Sequence, residues 1–393
     1  MKGIFFLAWR YVCFHKTKTL ILIACIFLTA ILPIAIRVLL SRFESSLVQR
    51  ADATPAMIGA KGSSLDLVLH GLYFDRSPSQ TLPFAEVKRI RASGLADPVP
   101  LYSVFHAASF PIVGTSLNYF DQRRLTIQSG QPLTTLGDCV IGSKVATSLN
   151  LAPGDSLLSD RENMLDIAGK YPLKMNVTGV LHPTGTPDDK AVFVDLKTAW
   201  VIDGYGHGHQ ELQNETDETK IISRDENQLV ASAAVLPFTE ITEQNIDSFH
   251  FHGSDDDFPV SAILTFTRTE KDNTILQGQY TSADSDFQFV RPAIVVRELI
   301  SVMFRIKRFF DANATLIGVS TLLLLLLVML LSAKLRSAEM ETLFKIGCGR
   351  GTVLWLQIGE LAFVGLAALT LILLATWTIN LNADRLLSWW IQQ

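Results

Sequence analysis

Acidic side chains are missing from the first 41 residues, where Lys2, Arg10, Lys16, Lys18 and Arg37 stand with His15 and no counter-charge. Charge is sparse overall, at 18% of 393 residues, against about 25% in ordinary soluble domains. The net charge is only −4. It is unevenly spread, because residues 42–311 carry 24 Lys and Arg against 34 Asp and Glu, a local −10. An acidic middle between basic ends excludes a nucleic-acid binder and suits an outside domain flanked by inside ends. Cysteine is scarce too. Of Cys13, Cys25, Cys139 and Cys348 only Cys139 lies in the acidic stretch, which excludes an internal disulfide there and leaves the compartment undecided. No GxxxxGK[ST] occurs, so ATP is not bound through a P-loop. HExxH, GxSxG and CxxC are also lacking. Isolated candidates such as Ser116 and Asp155 have no assembled partners in sequence. The chain reads as a non-enzyme that needs no cofactor.

What is present is apolar length. Hydrophobic residues make up 48% of the chain and the mean hydropathy is +0.28. About 20 helical residues cross about 30 Å of hydrocarbon, and three runs reach that length. The reading is an α-helical transmembrane bundle of three spans with a large inserted mixed α/β periplasmic domain. Residues 1–18 form a cytoplasmic interfacial amphipathic segment, with Trp9 and Tyr11 at headgroup level. Residues 19–41 are the first span. The competing reading, a cleaved signal peptide, is disfavoured because the apolar run outlasts a signal core and the first A-x-A, at 51–53, comes too late. Residues 42–311 are the outside domain, and 314–333 the second span. Residues 334–351 are a cytoplasmic coupling segment, 352–378 the third span, and 379–393 an amphipathic tail at the periplasmic face.

Within the domain, residues 45–59 begin with helical periodicity. Residues 65–72, 99–104, 174–181, 191–194 and 262–267 alternate or are β-branched, and read as strands. Residues 139–156 read as a strand end, a glycine turn, a helix over 143–149 and a second turn, and 290–308 as a helix leading into the second span. Two polar tracts, 207–226 and 250–257, read as loops. Each opens on a His-x-His pair, His207/His209 and His250/His252. These are candidate metal ligands, with Glu211 or Asp255 nearby, although histidines in a solvated loop are more often plain polar residues.

The segment between the last two apolar runs carries Lys334, Arg336, Lys345 and Arg350 against Glu339 and Glu341, a bias that places it inside. Arg336, Glu339, Met340, Glu341, Leu343, Phe344, Lys345, Ile346 and Gly347 are the expected docking surface for a cytoplasmic protein. Glu360, about 12 Å along the third span from Thr352 at ~1.5 Å per residue, needs a partner or a water-lined position. It reads equally as a gate or coupling element and as a helix–helix hydrogen bond.

These features together resemble a family. The cytoplasmic pattern R-x-x-E-x-x-x-L-x-x-x-G runs through Arg336, Glu339, Leu343 and Gly347. The stretches GDCVIGSKVATSLNLAPGDS (137–156) and YPLKMNVTGVLHPTGTPDDKAVFVDLKTAW (171–200) are similar to periplasmic signatures of the FtsX-like permeases of the MacB/LolC group, the type VII ABC transporters. The resemblance implies a permease in the bacterial inner membrane with a cytoplasmic N-terminus, working as a homodimer or heterodimer with a separate cytoplasmic ABC ATPase. ATP-driven closure of that ATPase would push on the coupling segment and move the periplasmic domain. The function implied is export or extraction of a periplasmic or membrane-associated substrate, with membrane lipids and a periplasmic adaptor or substrate protein as further partners and no nucleic acid. Lipoprotein release, efflux and control of a cell-wall enzyme stay open. The family has four spans and three are legible here, which implies a three-span variant completed by a partner or a chain incomplete at its C-terminus. The alternative function is a membrane-anchored receptor or regulatory scaffold with no ATPase coupling.

Overall fold

The computed structural model describes residues 2–76, 78, 80–160, 172–208, 221–225, 228–231, 239–281, 285–335, 341–342, 345 and 350–383. It divides into two compact units, Val48–Arg297 and Met1–Leu47 with Glu298–Gln393.

The chain opens on α1 (Lys2–Phe14) and α2 (Lys16–Asp52), the latter interrupted by Pro33 but helical throughout. The domain then runs β1 (Ala56–Ala60), α3 (Ser64–Tyr73), β2 (Leu82–Pro83), α4 (Ala85–Ser93), β3 (Ala96–Tyr102), β4 (His106–Ala107), β5 (Phe110–Thr115), α5 (Asn118–Arg123) and β6 (Ile127–Gly130). It continues with β7 (Asp138–Ile141), α6 (Ser143–Leu149), β8 (Ser156–Leu158), β9 (Lys174–Leu181), β10 (Val192–Asp195), α7 (Leu196–Asp203) and β11 (Gly206–Gly208). After these come β12 (Ile221–Asp225), β13 (Gln228–Ala231), β14 (Phe249–Phe251), β15 (Pro259–Val260), β16 (Ala262–Thr267), α8 (Glu270–Gln279) and β17 (Phe287–Val290). Two long helices follow, α9 (Pro292–Leu335) and α10 (Arg350–Leu381).

Most strands join one mixed sheet in the order β17-β1-β16-β3-β5-β10-β7-β9-β6, with β4 beside β5 and β8 beside β9. The β5–β10 and β7–β9 pairs are parallel. The central strands are buried on both faces, as Val192, Phe193 and Val194 are in β10, and so read as continuous apolar runs rather than alternating ones. Tyr119, Phe193, Ile112 and Met175 are fully buried in this core.

Two sequence expectations are corrected. Residues 65–72, expected as a strand, form α3. The period-2 look of Leu65, Leu67 and Leu69 is outweighed by a cap, Ser63 accepting the Asp66 amide, and by burial of Leu67, Val68 and Leu72 on one helical face. The two polar tracts expected as loops contain β11, β12 and β14, because Gly-His-Gly and Phe-His-Phe each alternate small or aromatic against polar.

In the helical unit, α1 packs on α10, with Trp9 edge-on to Phe363 at 5.5 Å and Ala8 fully buried. Thr29 and Thr321 share a hydrogen bond of 3.2 Å, and Arg37 donates twice to Asp311, at 2.7 and 3.0 Å. Segments Lys16–Asp52, Arg308–Val328 and Trp355–Leu381 are long and apolar enough to cross a membrane.

Candidate functional site

The last turn of α2 lies inside the α/β unit, and its Arg50 is buried there. The guanidinium grips Asp188 through both terminal nitrogens, Nη1 to Oδ2 at 2.6 Å and Nη2 to Oδ1 at 2.9 Å. It also donates to the Leu72 carbonyl and, at 3.0 Å, to the Tyr119 hydroxyl, and lies over the Phe74 ring. Tyr119 in turn donates to Asp188 Oδ1 at 2.6 Å, and Thr186 donates to Oδ2 at 2.9 Å. A fork-to-fork pair of this kind fixes geometry as well as charge. Burial alone would raise the Asp188 carboxyl; the Arg50 charge and the hydrogen bonds from Arg50, Tyr119 and Thr186 outweigh it and hold the group below the ordinary carboxylate value. The Tyr119 hydroxyl is pushed the other way, upward, first by burial and then by the Asp188 charge.

Asp188 sits in a 3-10 turn, Pro187–Lys190, capped by the Thr186 hydroxyl. Its neighbour Asp189 accepts from the Thr184 and Gly185 amides at 2.8 Å each. Gly142, at the start of α6, lies against this turn so closely that a Cβ there would fall 2.3 Å from the Asp188 carbonyl oxygen and 2.4 Å from that of Asp189. The two stretches that carry the periplasmic resemblance thus touch at the backbone of the turn whose Asp188 carboxylate holds Arg50. A second tie is solvated: Arg297 Nη2 reaches Asp52 Oδ1 at 3.0 Å, joining the first turns of α9 to the end of α2. Exposed pairs of this kind contribute at most about 1 kcal/mol.

Glu360 of α10 is buried and receives Lys18 Nζ at 2.7 Å. Within the expected docking surface, Glu341 and Lys345 form an exposed pair one turn apart at 3.3 Å; Arg336, Glu339, Met340, Leu343, Phe344, Ile346 and Gly347 lie outside the described residues, as does the tail from 384 onward. Cys139 is buried in β7, and burial followed by the Asp138 charge pushes its thiol up to about 12. It is packing, not a nucleophile. Asp155 closes a turn by accepting the Ala152 amide.

His207 in β11 stands directly opposite His250 in β14, and His252 follows two residues on. The ligand nitrogens of these three lie within 4.8 Å of one another. His209 and Glu211 lie outside the described residues.

Arg50, Tyr119 and Asp188 were not legible as a site in sequence, since Arg50 and Asp188 stand 138 residues apart.

No family model matches the chain, and no curated protein matches it. Among solved structures it is similar to the periplasmic region of MacB from Actinobacillus actinomycetemcomitans, at 12% identity over 65% of this chain and 97% of that one, with a TM-score of 0.36. It is also similar to the extracellular domain of the noncanonic ABC-type transporter YknZ from Gram-positive bacteria, at 11% identity over 60% and 98%, with a TM-score of 0.32.

Proposed function

We propose that this chain is a permease subunit of an ABC transporter of the FtsX-like MacB/LolC group, lodged in a bacterial inner membrane with its N-terminus inside and its α/β domain outside. A separate cytoplasmic ATPase engages residues 336–347, and the resulting displacement is delivered to the outer domain rather than to a channel. Glu360 is already paired with Lys18, as Arg37 is with Asp311, so these charges of the helical unit are neutralised within it rather than left for a hydrophilic tunnel.

The observation that carries this reading is the seating of Arg50. A helix that only anchors a domain can end in a flexible linker. Here α2 runs without a linker into the domain, and its last turn is locked by a buried bidentate ion pair to the turn between β9 and β10. Helix motion at that point cannot be absorbed by slack. The motif order around 336–347 supports a cytoplasmic source for the motion. Subunit pairing, with a second copy or a related permease, supplies the remaining helix contacts.

The test is co-purification of the full chain with its candidate ATPase, before and after Leu343→Asp and Phe344→Asp. Loss of association and of ATPase stimulation in both variants is expected. Unchanged association and unchanged stimulation reject the coupling assignment and leave the receptor or scaffold reading.

A further inference from the structure

We infer that the β11–β14 ribbon is a binding site for a divalent transition cation, held by the imidazoles of His207, His250 and His252. The inference does not depend on the permease reading. It starts from the period of a strand, in which alternate residues share a face. Opposite residues of an antiparallel pair share a face too, so the His207–His250 register puts both rings on one side, and His252 joins them from two residues beyond His250. The other side of the ribbon is taken up by Phe249 and Phe251. A Cβ at Gly206 would fall 2.8 Å from the Phe251 ring, and one at Gly208 2.7 Å from the Phe249 ring. Both aromatic rings pack against the hydrophobic core, Phe251 on Phe258 at 5.9 Å between centroids. The glycines and phenylalanines thus fix the register and leave the three imidazoles together on the opposite, more exposed face.

The three ligand nitrogens lie within 4.8 Å of one another, and one pair already stands at the spacing of a coordination edge. Ring centroids lie 4.8 to 5.1 Å apart. The Nε2 atoms of His207 and His252 are 3.3 Å apart. Zinc–nitrogen bonds of about 2.0–2.1 Å at tetrahedral angles give a nitrogen–nitrogen edge of about 3.3–3.4 Å, which the His207–His252 pair matches. His250 Nδ1 lies 3.1 Å from the Ser248 carbonyl, which can only accept. A donor at Nδ1 leaves Nε2 as the ligand nitrogen of this ring, the arrangement by which backbone carbonyls orient metal-binding histidines. Imidazole donors select zinc, copper or nickel over calcium or magnesium. Of these, Zn2+ fits the tetrahedral edge that His207 and His252 present. Three ligands and solvent access leave the fourth position to water or to a donor from another molecule. The net −10 of residues 42–311 raises the local cation concentration. The bound ion would clasp two strands whose ligands stand 45 residues apart in sequence.

The test uses the full chain in detergent, stripped with chelator and titrated with Zn2+ by calorimetry, with Co2+ as a spectroscopic probe. One ion per chain is expected, with visible ligand-field bands for Co2+ and a zinc-dependent rise in unfolding temperature. His207→Ala or His252→Ala should weaken binding by more than about 100-fold, beyond the 10–100-fold that loss of an outer hydrogen bond costs, and should abolish the bands. His250→Gln, which keeps a polar side chain on the ribbon, guards against misfolding: its unfolding temperature without metal should match that of the parent. No heat and no bands with the parent protein overturn the inference. So does binding that survives in all three variants, since the metal would then sit elsewhere.

Discussion

The Arg50–Asp188 pair permits a quantitative test. In Arg50→Met the methylenes are kept and the charge is removed, so Asp188 loses both guanidinium bonds and retains only the Tyr119 and Thr186 hydroxyls. Breaking one side of a buried pair typically costs about 3–5 kcal/mol. Here proton uptake sets a ceiling. Moving a carboxyl from its ordinary range to protonated at pH 7 spans about three pH units at ~1.4 kcal/mol each, about 4 kcal/mol in all. That ceiling falls with pH and reaches about 1.5 kcal/mol at pH 5. For a domain of this size 1 kcal/mol shifts Tm by about 2–4 °C. The variant should therefore lose about 8–15 °C at pH 7 and about 3–6 °C at pH 5. The assay is thermal unfolding of the full chain in detergent, followed by the fluorescence of buried Trp200. Adding Asp188→Asn to Arg50→Met should recover most of the loss at pH 7, because no unpaired charge remains. Equal losses at the two pH values, or a double variant no more stable than the single one at pH 7, would refute the argument that a buried charge holds the helix end.

Other consequences can be checked in the same preparation. Gly142→Ala drives a methyl into the carbonyls of Asp188 and Asp189, backbone atoms that cannot rotate away, and should cost about 1–3 kcal/mol; Gly62→Ala, with no atom near its Cβ position, is the control, and equal Tm for the two would contradict the close approach. His70 is buried, with Nδ1 2.7 Å from the Arg76 carbonyl and Nε2 2.7 Å from the Ser261 hydroxyl, and burial lowers its pKa below the ordinary 6.5 despite the Arg76 bond. The unfolded chain then binds the proton more readily, so this contribution to stability is complete above pH 6.5 and declines as the pH falls below it. His70→Gln should flatten Tm against pH in that interval, and an unchanged slope would assign the dependence to another group.

Local patterns in the sequence were reliable where one strand or helix decides its own conformation. The helix over 143–149 and the strands over 174–181 and 262–267 have the limits that glycine punctuation and β-branched alternation indicate. Leu65, Leu67 and Leu69 misled because alternating leucines fit a strand, and what favours the helix is the Ser63 cap together with burial of Leu67, Val68 and Leu72. The histidine cluster was half legible. Two His-x-His pairs are visible in the chain, but the antiparallel register that puts His207 opposite His250 is set by Phe249 and Phe251 packing on the core, a tertiary matter. Nothing local pairs Arg50 with Asp188. Their meeting depends on the sheet order, which brings the turn before β10 to the end of α2.

Asp188 and Asp189 are adjacent but serve different masters, one carboxylate reaching outward to a helix and the next folding inward onto its own loop. Were Arg50 to withdraw, the first would keep only two hydroxyl partners in a buried setting and would be driven towards taking up a hydrogen ion from the surroundings. Extraction of the helix end is thus tied to proton uptake, and becomes harder in alkaline medium. Any displacement that avoids this toll must leave the pair of Arg50 and Asp188 closed.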